Sequence, residues 1–171
     1  GQMNKEVIEK WVDQEAGQVF NAWQKFKSYG SEWQKAAFNA KNGGYIVSHK
    51  DHQFDIKGGI TERKVANSLM KDGYHVEFLS ERGASGLSFI DCRVNGEYYE
   101  IKGSLKNSHR SIKSQFEGAK RKKAEGLILS IMSEMSFSDA LTSINRIKPQ
   151  RYGVNKVWLF KEGNHRVFSY K

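Results

Sequence analysis

Cysteine is nearly absent from this sequence, and long apolar runs are missing altogether. The single cysteine, Cys92, excludes an internal disulfide framework and a cysteine-rich zinc site, and such sparse use of cysteine fits work in a reducing cytosol. No segment approaches the roughly 20 apolar residues that cross a bilayer, and the first residues have no signal-peptide pattern. We therefore expect a soluble chain without a membrane partner.

The sequence also lacks the patterns of several common kinds of active site. The five histidines have no spacing typical of a zinc site, and Ser104 and Ser108 have no evident triad partner. No glycine-rich loop has phosphate-binding spacing. These absences disfavour a zinc centre, a covalent nucleophile and nucleotide hydrolysis.

The chain divides by its patterns into two parts. With 171 residues, of which 38% are hydrophobic, it has enough apolar side chains for one core and too few for two full-sized domains. Apolar residues at three- and four-residue steps predict a helix over 4–28 and a second over about 32–40, followed by an irregular stretch. We predict a helical N-terminal segment, an entry or cap region, at 1–58 and one folded domain at 59–171.

Regular helix and strand patterns begin at residue 59. The predicted helices cover about 61–72, about 111–125 and a stretch from about 138. The predicted strands cover 75–79, 87–94, 97–102, 126–132, 156–160 and 166–170, with a Gly- and Ser-rich loop at 80–86. The order α-β-β-β-α-β-α-β-β predicts an α/β fold with a mixed sheet flanked by helices.

Positive charge is concentrated in the second part. The formal net charge is +9, and residues 60–171 hold twenty Lys and Arg against twelve Asp and Glu. Eight of these cations lie from Lys102 to Lys123, beside one acid, Glu117. Such a patch favours a phosphate-rich partner through counterion release. A solvated helix face that keeps the protein soluble is the alternative.

A predicted hairpin gathers the residues that indicate chemistry. The Asn-Gly pair at 95–96 is a strong hairpin signal, and a two-residue turn there pairs Asp91 with Glu100. Alternation then puts Asp91, Glu100 and Lys102 on one face and apolar side chains on the other. Facing carboxylates repel each other and call for a cation, and Mg²⁺ or Mn²⁺ prefers such oxygen ligands. The alternative is an exposed pair neutralised by Lys102 and Arg93.

Two residues on the predicted helices fit a site beside this hairpin. Glu62 lies on the apolar line of the 61–72 helix, which suggests a third carboxylate directed at the metal. Stabilisation of the helix N-terminus is the alternative for Glu62. Gln115 precedes the inward Phe116 on the basic helix, where its amide either touches a ligand or is solvated.

These residues resemble a known constellation. Glu62, Asp91 and the run 100–102 (Glu-Ile-Lys) are similar to the E…D…E-x-K motif of the PD-(D/E)XK nuclease superfamily, whose core has the order α-β-β-β-α-β. Ile90 stands where the superfamily's name has proline.

A narrower resemblance covers about residue 43 to the C-terminus. The stretches 59–66 and 99–102, with the Gln115 helix and its Ala119, Lys120, Lys123 and Ala124, resemble the C-terminal toxin domains of contact-dependent growth inhibition (CdiA) proteins and related bacterial polymorphic toxins. The first forty residues have no counterpart except as a toxin entry segment.

The resemblance implies an endonuclease that is delivered from a cell surface into the cytoplasm of a neighbouring cell and neutralised by a cognate immunity protein. It implies that Asp91, Glu100 and the Ile101 carbonyl ligate Mg²⁺ or Mn²⁺ in preference to Zn²⁺, with Glu62 holding the ion directly or through water. Lys102 would orient or deprotonate the attacking water or stabilise the oxyanion. The group includes tRNases and DNases, and the Thr-Glu-Arg-Lys helix and the basic helix favour tRNA.

Substrate contacts are expected from the basic helix and from exposed rings. The polar side chains expected to bind nucleic acid are Lys106, His109, Arg110, Gln115 and Lys120. An unpaired base would stack on Tyr98 or Trp158, and packing in the core is the alternative for both rings.

Other functions stay open at this point. They are an Mg²⁺-dependent DNase toxin of the same fold, a non-catalytic nucleic-acid-binding module, and a domain that recognises an acidic protein. Cleavage that depends on a divalent ion separates the nucleases from both binding modules.

Overall fold

The computed structural model of the protein describes residues 5–54, 58–81 and 90–170, with side chains from residue 16 onward apart from Gly58. The elements in these ranges are α1 (Lys5–Ser28), β1 (Trp33–Phe38), β2 (Tyr45–His49), α2 (Gly58–Lys71), β3 (His75–Phe78), β4 (Cys92–Val94), β5 (Glu97–Ser104), α3 (His109–Arg121), β6 (Gly126–Ile131), α4 (Phe137–Ile147), a short 3-10 helix (Pro149–Tyr152), β7 (Lys156–Lys161) and β8 (Asn164–Ser169). None of these helices is long and apolar enough to cross a membrane.

The eight strands form one mixed sheet in which neighbours follow chain order from β1 to β8. The pairs β2–β3, β5–β6 and β6–β7 are parallel, and the other four pairs are antiparallel. Parallel neighbours need a crossover, which α2, α3 and α4 provide in turn. The predicted α/β fold with a mixed sheet and flanking helices is therefore confirmed.

The helices cover both faces of the sheet, and strand alternation divides the core between them. On β6, Leu127 and Leu129 pack in a cluster with Phe116 of α3 and Ile144 of α4. Ile128, between them in sequence, packs in a second cluster that contains the apolar side of α2. Burial on both faces explains why β6 is an almost continuous apolar run.

The predicted second helix at about 32–40 is wrong, because Trp33–Phe38 forms strand β1. Trp33 and Phe38 pack against a third cluster formed by Phe26, Tyr45 and Val47, and this tertiary packing overrides the helix propensity of the Ala36-Ala37 pair. The predicted irregular stretch that follows likewise contains β2, which pairs with β3. The division at residue 58 stays a prediction, and the sheet extends across it.

The predicted hairpin register is confirmed over β4 and β5. Cys92 lies opposite Tyr99, Arg93 opposite Tyr98 and Val94 opposite Glu97. Asn95 and Gly96 have φ angles of 49° and 84°, the left-handed conformation that a two-residue hairpin turn requires.

Two predicted boundaries shift. The 82–89 part of the predicted loop and strand lies outside the described residues, so β4 is described from Cys92 onward. The basic helix α3 ends at Arg121, four residues before its predicted end, and Lys122 caps it.

Gly44, which precedes β2, packs against the end of α2. A substitution there tests whether β1 and β2 fold as one unit with the rest of the sheet. A Cβ at this position would collide with the carbonyl oxygen of Met70 and approach Gly73 Cα to 3.0 Å. Because these atoms are backbone, we expect Gly44→Ala to lower the free energy of unfolding by about 1–3 kcal/mol in urea titration. Gly30→Ala is the matched control, since no heavy atom lies within 4 Å of its added Cβ. Equal midpoints for the two variants would contradict this packing.

Candidate active site

A cavity of about 730 Å³ lies between α2, β5 and α3, and the residues predicted as the catalytic centre meet there. The charged and polar side chains that line it are Gln53, Thr61, Glu62, Glu81, Asp91, Glu100, Lys102, Gln115 and Lys122. Residues that are forty positions apart in sequence, such as Glu62 and Lys102, thus face one space. Their predicted roles stay predictions.

The hairpin holds Asp91 and Glu100 in different hydrogen-bonding environments. Asp91 lies just before β4, and its Oδ2 accepts a hydrogen bond from the Ile101 N–H at 2.8 Å. Glu100 is only 1% exposed, and its Oε1 accepts from Lys122 Nζ at 2.8 Å. Its other oxygen, Oε2, is buried and has no donor among the described residues. That oxygen therefore requires a proton or a cation.

Burial raises the pKa of Glu100 to about 8. The neighbouring Asp91 adds to the rise by hydrogen bonding and by its charge, while Lys122 opposes it. Two neighbouring carboxylates that are both buried do not both ionise easily. The site therefore favours either one proton shared by the two groups or a bound cation.

Two ammonium groups compensate this pair, and only one of them was predicted. Lys102 Nζ lies 3.8 Å from Glu100 Oε1, whereas Lys122 Nζ lies 2.8 Å from the same oxygen. Arg93 is not a partner of the acids, because its guanidinium pairs with Glu77 at 2.8 Å. The alternative of an exposed pair neutralised in part by Arg93 is therefore wrong, although both lysines lie beside Glu100. Lys122 belongs to a run of four cations at 120–123, and the sequence does not distinguish which of them reaches back to β5.

Glu62 is buried on α2 and contacts a histidine that sequence reasoning missed. Since α2 begins at Gly58, Glu62 lies beyond the first turn, and stabilisation of the helix N-terminus does not explain it. His52 Nε2 lies 3.3 Å from Glu62 Oε1, and His52 Nδ1 lies 2.8 Å from the Leu79 carbonyl oxygen. Burial raises the pKa of Glu62, the nearby His52 imidazole lowers it, and the charge of Asp91 raises it further. Glu62 and Asp91 are thus electrostatically linked.

The carboxylate oxygens of Asp91, Glu100 and Glu62 are among the groups in this cavity that could bind a divalent cation. Among the described residues no three His, Cys, Asp or Glu side chains are already arranged as a metal cluster. The oxygens are instead held by Lys122, His52 and the Ile101 N–H. The donor type and the unpartnered Glu100 Oε2 nevertheless fit a hard cation, which prefers carboxylate oxygens. Asp91 and Glu100 carry this fit, because Lys122 contacts only Oε1 of Glu100 and Oε2 has no donor among the described residues.

The residues predicted to bind substrate divide into two groups. Lys106, Arg110 and Gln115 line a second cavity of about 360 Å³, which shares Gln115, Gly103 and Leu105 with the first and therefore adjoins it. His109 is half-buried, and Lys120 is exposed on α3 outside the residues that line these two cavities.

The two rings predicted to stack a base differ in exposure. Tyr98 is exposed on β5, and the Arg93 guanidinium lies 5.6 Å from its ring centroid. Trp158 is buried on β7 and packs edge-on against Tyr74 at 5.2 Å. Trp158 is therefore part of the core, the packing role that the sequence left open for it, and it does not stack a base.

Comparison with known proteins gives one structural likeness. No family model matches the chain, and no curated protein matches it. A solved structure described as a CdiA-CT/CdiI toxin and immunity complex from Burkholderia pseudomallei aligns with a TM-score of 0.56 at 20% sequence identity. The alignment covers 66% of this chain and 85% of that chain. At this identity the likeness shows that the two chains share a fold.

The raised pKa of Glu100 predicts how stability changes with pH in chelator-treated buffer. Between the ordinary carboxyl pKa of 4.5 and about 8, unfolded Glu100 is ionised while folded Glu100 keeps its proton, so the native state loses stability as pH rises. Glu100→Gln removes this loss. We expect the variant to gain up to about 5 kcal/mol over the wild type between pH 4.5 and 8.5, measured by denaturant titration.

Glu97→Gln is the matched control on the same strand. The hydrogen bond with Lys156 lowers the pKa of Glu97, so the stability that this carboxylate contributes is complete above pH 4.5 and is lost only at lower pH; the variant and the wild type should therefore differ by a constant amount between pH 4.5 and 8.5. Parallel pH profiles for the two variants would contradict the desolvated state of Glu100.

Proposed function

We propose that this chain is a metal-dependent nuclease of the PD-(D/E)XK type that serves as a toxin domain in contact-dependent growth inhibition. The observation that carries the proposal is the buried Asp91–Glu100 pair, with Lys102 and Lys122 beside it and a basic helix adjoining it. The shared fold with a chain of a CdiA-CT/CdiI toxin and immunity complex supports the toxin role and a cognate immunity protein as partner.

Asp91, Glu100 and the Ile101 carbonyl would hold Mg²⁺ or Mn²⁺, with Glu62 bound directly or through water. When bound, such an ion supplies Lewis-acid chemistry by polarising the scissile phosphate. The hydrogen bond from the Ile101 N–H orients the Asp91 carboxylate, and the contact with His52 Nε2 orients the Glu62 carboxylate.

Lys102 is the residue of this chain proposed to act on the reacting atoms. Its ammonium faces the cavity from β5, near the acids but farther from Glu100 than Lys122 is. From there it would orient the attacking water and stabilise the negative charge that develops on the phosphate. Lys106 and Arg110 would hold the phosphate backbone in the adjoining cavity, which sets the register of the substrate.

The proposed substrate is RNA, with tRNA favoured and DNA as the alternative for a toxin of the same fold. Because two lysines already lie beside Glu100, a nucleic-acid-binding module without catalysis is the second candidate function. The two candidates differ in metal dependence, since a binding module needs no divalent ion.

Cleavage assays separate these functions directly. The wild type should release small fragments from the tRNA of total RNA in the presence of Mg²⁺, spare plasmid DNA, and stop with chelator. Asp91→Ala and Glu100→Ala should each lower the rate by at least about 100-fold, because each removes a ligand of the proposed metal ion. Glu97→Ala, an exposed carboxylate on the same strand, should leave the rate unchanged. Binding without any cleavage would favour the second candidate, and cleavage of the plasmid alone would reassign the substrate.

Metal binding has a readout that does not involve activity. Mn²⁺ at about 100 times its Kd should stabilise the wild type by about 2.7 kcal/mol and raise Tm by about 5 °C or more. Asp91→Asn and Glu100→Gln should lose most of this shift, and Glu97→Gln should keep it. The same Tm shift in all four proteins would place the ion elsewhere.

A further inference from the structure

Three exposed aliphatic side chains lie together on the rim of the candidate active site. Ile60 is 49% exposed, Leu105 is 66% exposed and Met132 is 42% exposed, and all three line the 730 Å³ cavity. They come from α2, from the loop after β5 and from the end of β6. Single exposed apolar residues are ordinary, but three from separate elements around one polar cavity indicate a binding surface.

Met132 is held in place on this rim. Its sulfur accepts a hydrogen bond from Thr61 Oγ1 at 3.1 Å, and its N–H donates to the Ser104 carbonyl oxygen at 2.9 Å. A Cβ at position 103 would approach the Met132 sulfur to 2.9 Å, so Gly103 leaves the space that this side chain fills. The apolar wall is therefore positioned by the carboxyl ends of two parallel strands, β5 and β6.

The other side of the cavity carries positive charge. Lys102 and Lys122 line it, and Lys106 and Arg110 line the adjoining cavity. A nucleotide has the same two sides, an anionic phosphate and a base with apolar faces. In an uninterrupted duplex the base faces are covered by stacking, whereas single strands and loops expose them.

We propose that the wall formed by Ile60, Leu105 and Met132 binds one unstacked nucleobase next to the scissile phosphate, so that the substrate is a single-stranded or looped nucleic acid. Among the described residues that line the cavity no aromatic ring is present, and the base contact proposed here is with aliphatic side chains. The position of the phosphate rests on the proposed nuclease function, but binding of the base does not require cleavage.

A binding experiment in chelator tests the wall apart from catalysis. Fluorescence anisotropy would compare a labelled single-stranded RNA with an oligonucleotide of equal length that lacks bases at its central positions. The double variant Leu105→Asn/Met132→Gln keeps side-chain size and removes apolar surface. We expect it to bind the intact strand about tenfold more weakly than the wild type and the abasic strand equally well. Val167→Thr, which changes a 42% exposed aliphatic residue on β8, should bind both strands like the wild type.

A cleavage experiment with Mg²⁺ completes the test. The wild type should cut a hairpin RNA in its loop and leave the same sequence uncut once it is annealed to its complement. If the wild type cuts nothing, the nuclease proposal fails, and the anisotropy still decides whether the wall binds a base. Equal affinities of the double variant and the wild type for the intact strand would overturn the inference, and so would equal weakening on both strands. Preferential cutting of the duplex would also overturn it.

Discussion

The site depends on one unfavourable arrangement, a carboxylate pair held away from water. Glu100 is almost fully buried beside Asp91, and burial with like charge raises its pKa to about 8. Such a pair costs stability unless a cation or a shared proton compensates it. Lys122 supplies part of that compensation through one oxygen, Oε1, and leaves Oε2 without a donor. Groups whose pKa is strongly shifted by burial and by a neighbouring charge are often found at functional sites.

The fold maintains this arrangement through the position of β5. This strand pairs with the hairpin partner β4 on one side and with the parallel strand β6 on the other. The hairpin turn fixes which side chains of β5 face Asp91, and the parallel pairing brings the ends of β5 and β6 to the apolar wall. Both α2 and α3 pack against β5. Glu62 and Lys122 therefore line the same cavity, although Glu62 precedes the hairpin in the sequence and Lys122 follows it.

Local signals explain what the sequence predicted well. The turn at 95–96 specifies its own register, so the placement of Asp91, Glu100 and Lys102 followed from a few neighbouring residues. Strand β1 was missed because its identity depends on packing against α1 and pairing with β2, which no local pattern reports. His52 and Lys122 were missed for the same reason, since each meets its carboxylate through tertiary contacts. The sequence left open whether Trp158 stacks a base or packs, and its place on β7, between β6 and β8 in the sheet, decides for packing.

Binding of a divalent cation to the carboxylate pair is the central element of the proposed function. The most direct measurement is a crystal structure of the chain grown with Mn²⁺ and recorded with anomalous scattering. If the proposal holds, an anomalous peak lies within coordination distance of Asp91 and of Glu100 Oε2, the buried oxygen that has no donor among the described residues. The absence of an anomalous peak between the two acids at a saturating concentration of Mn²⁺ would contradict it.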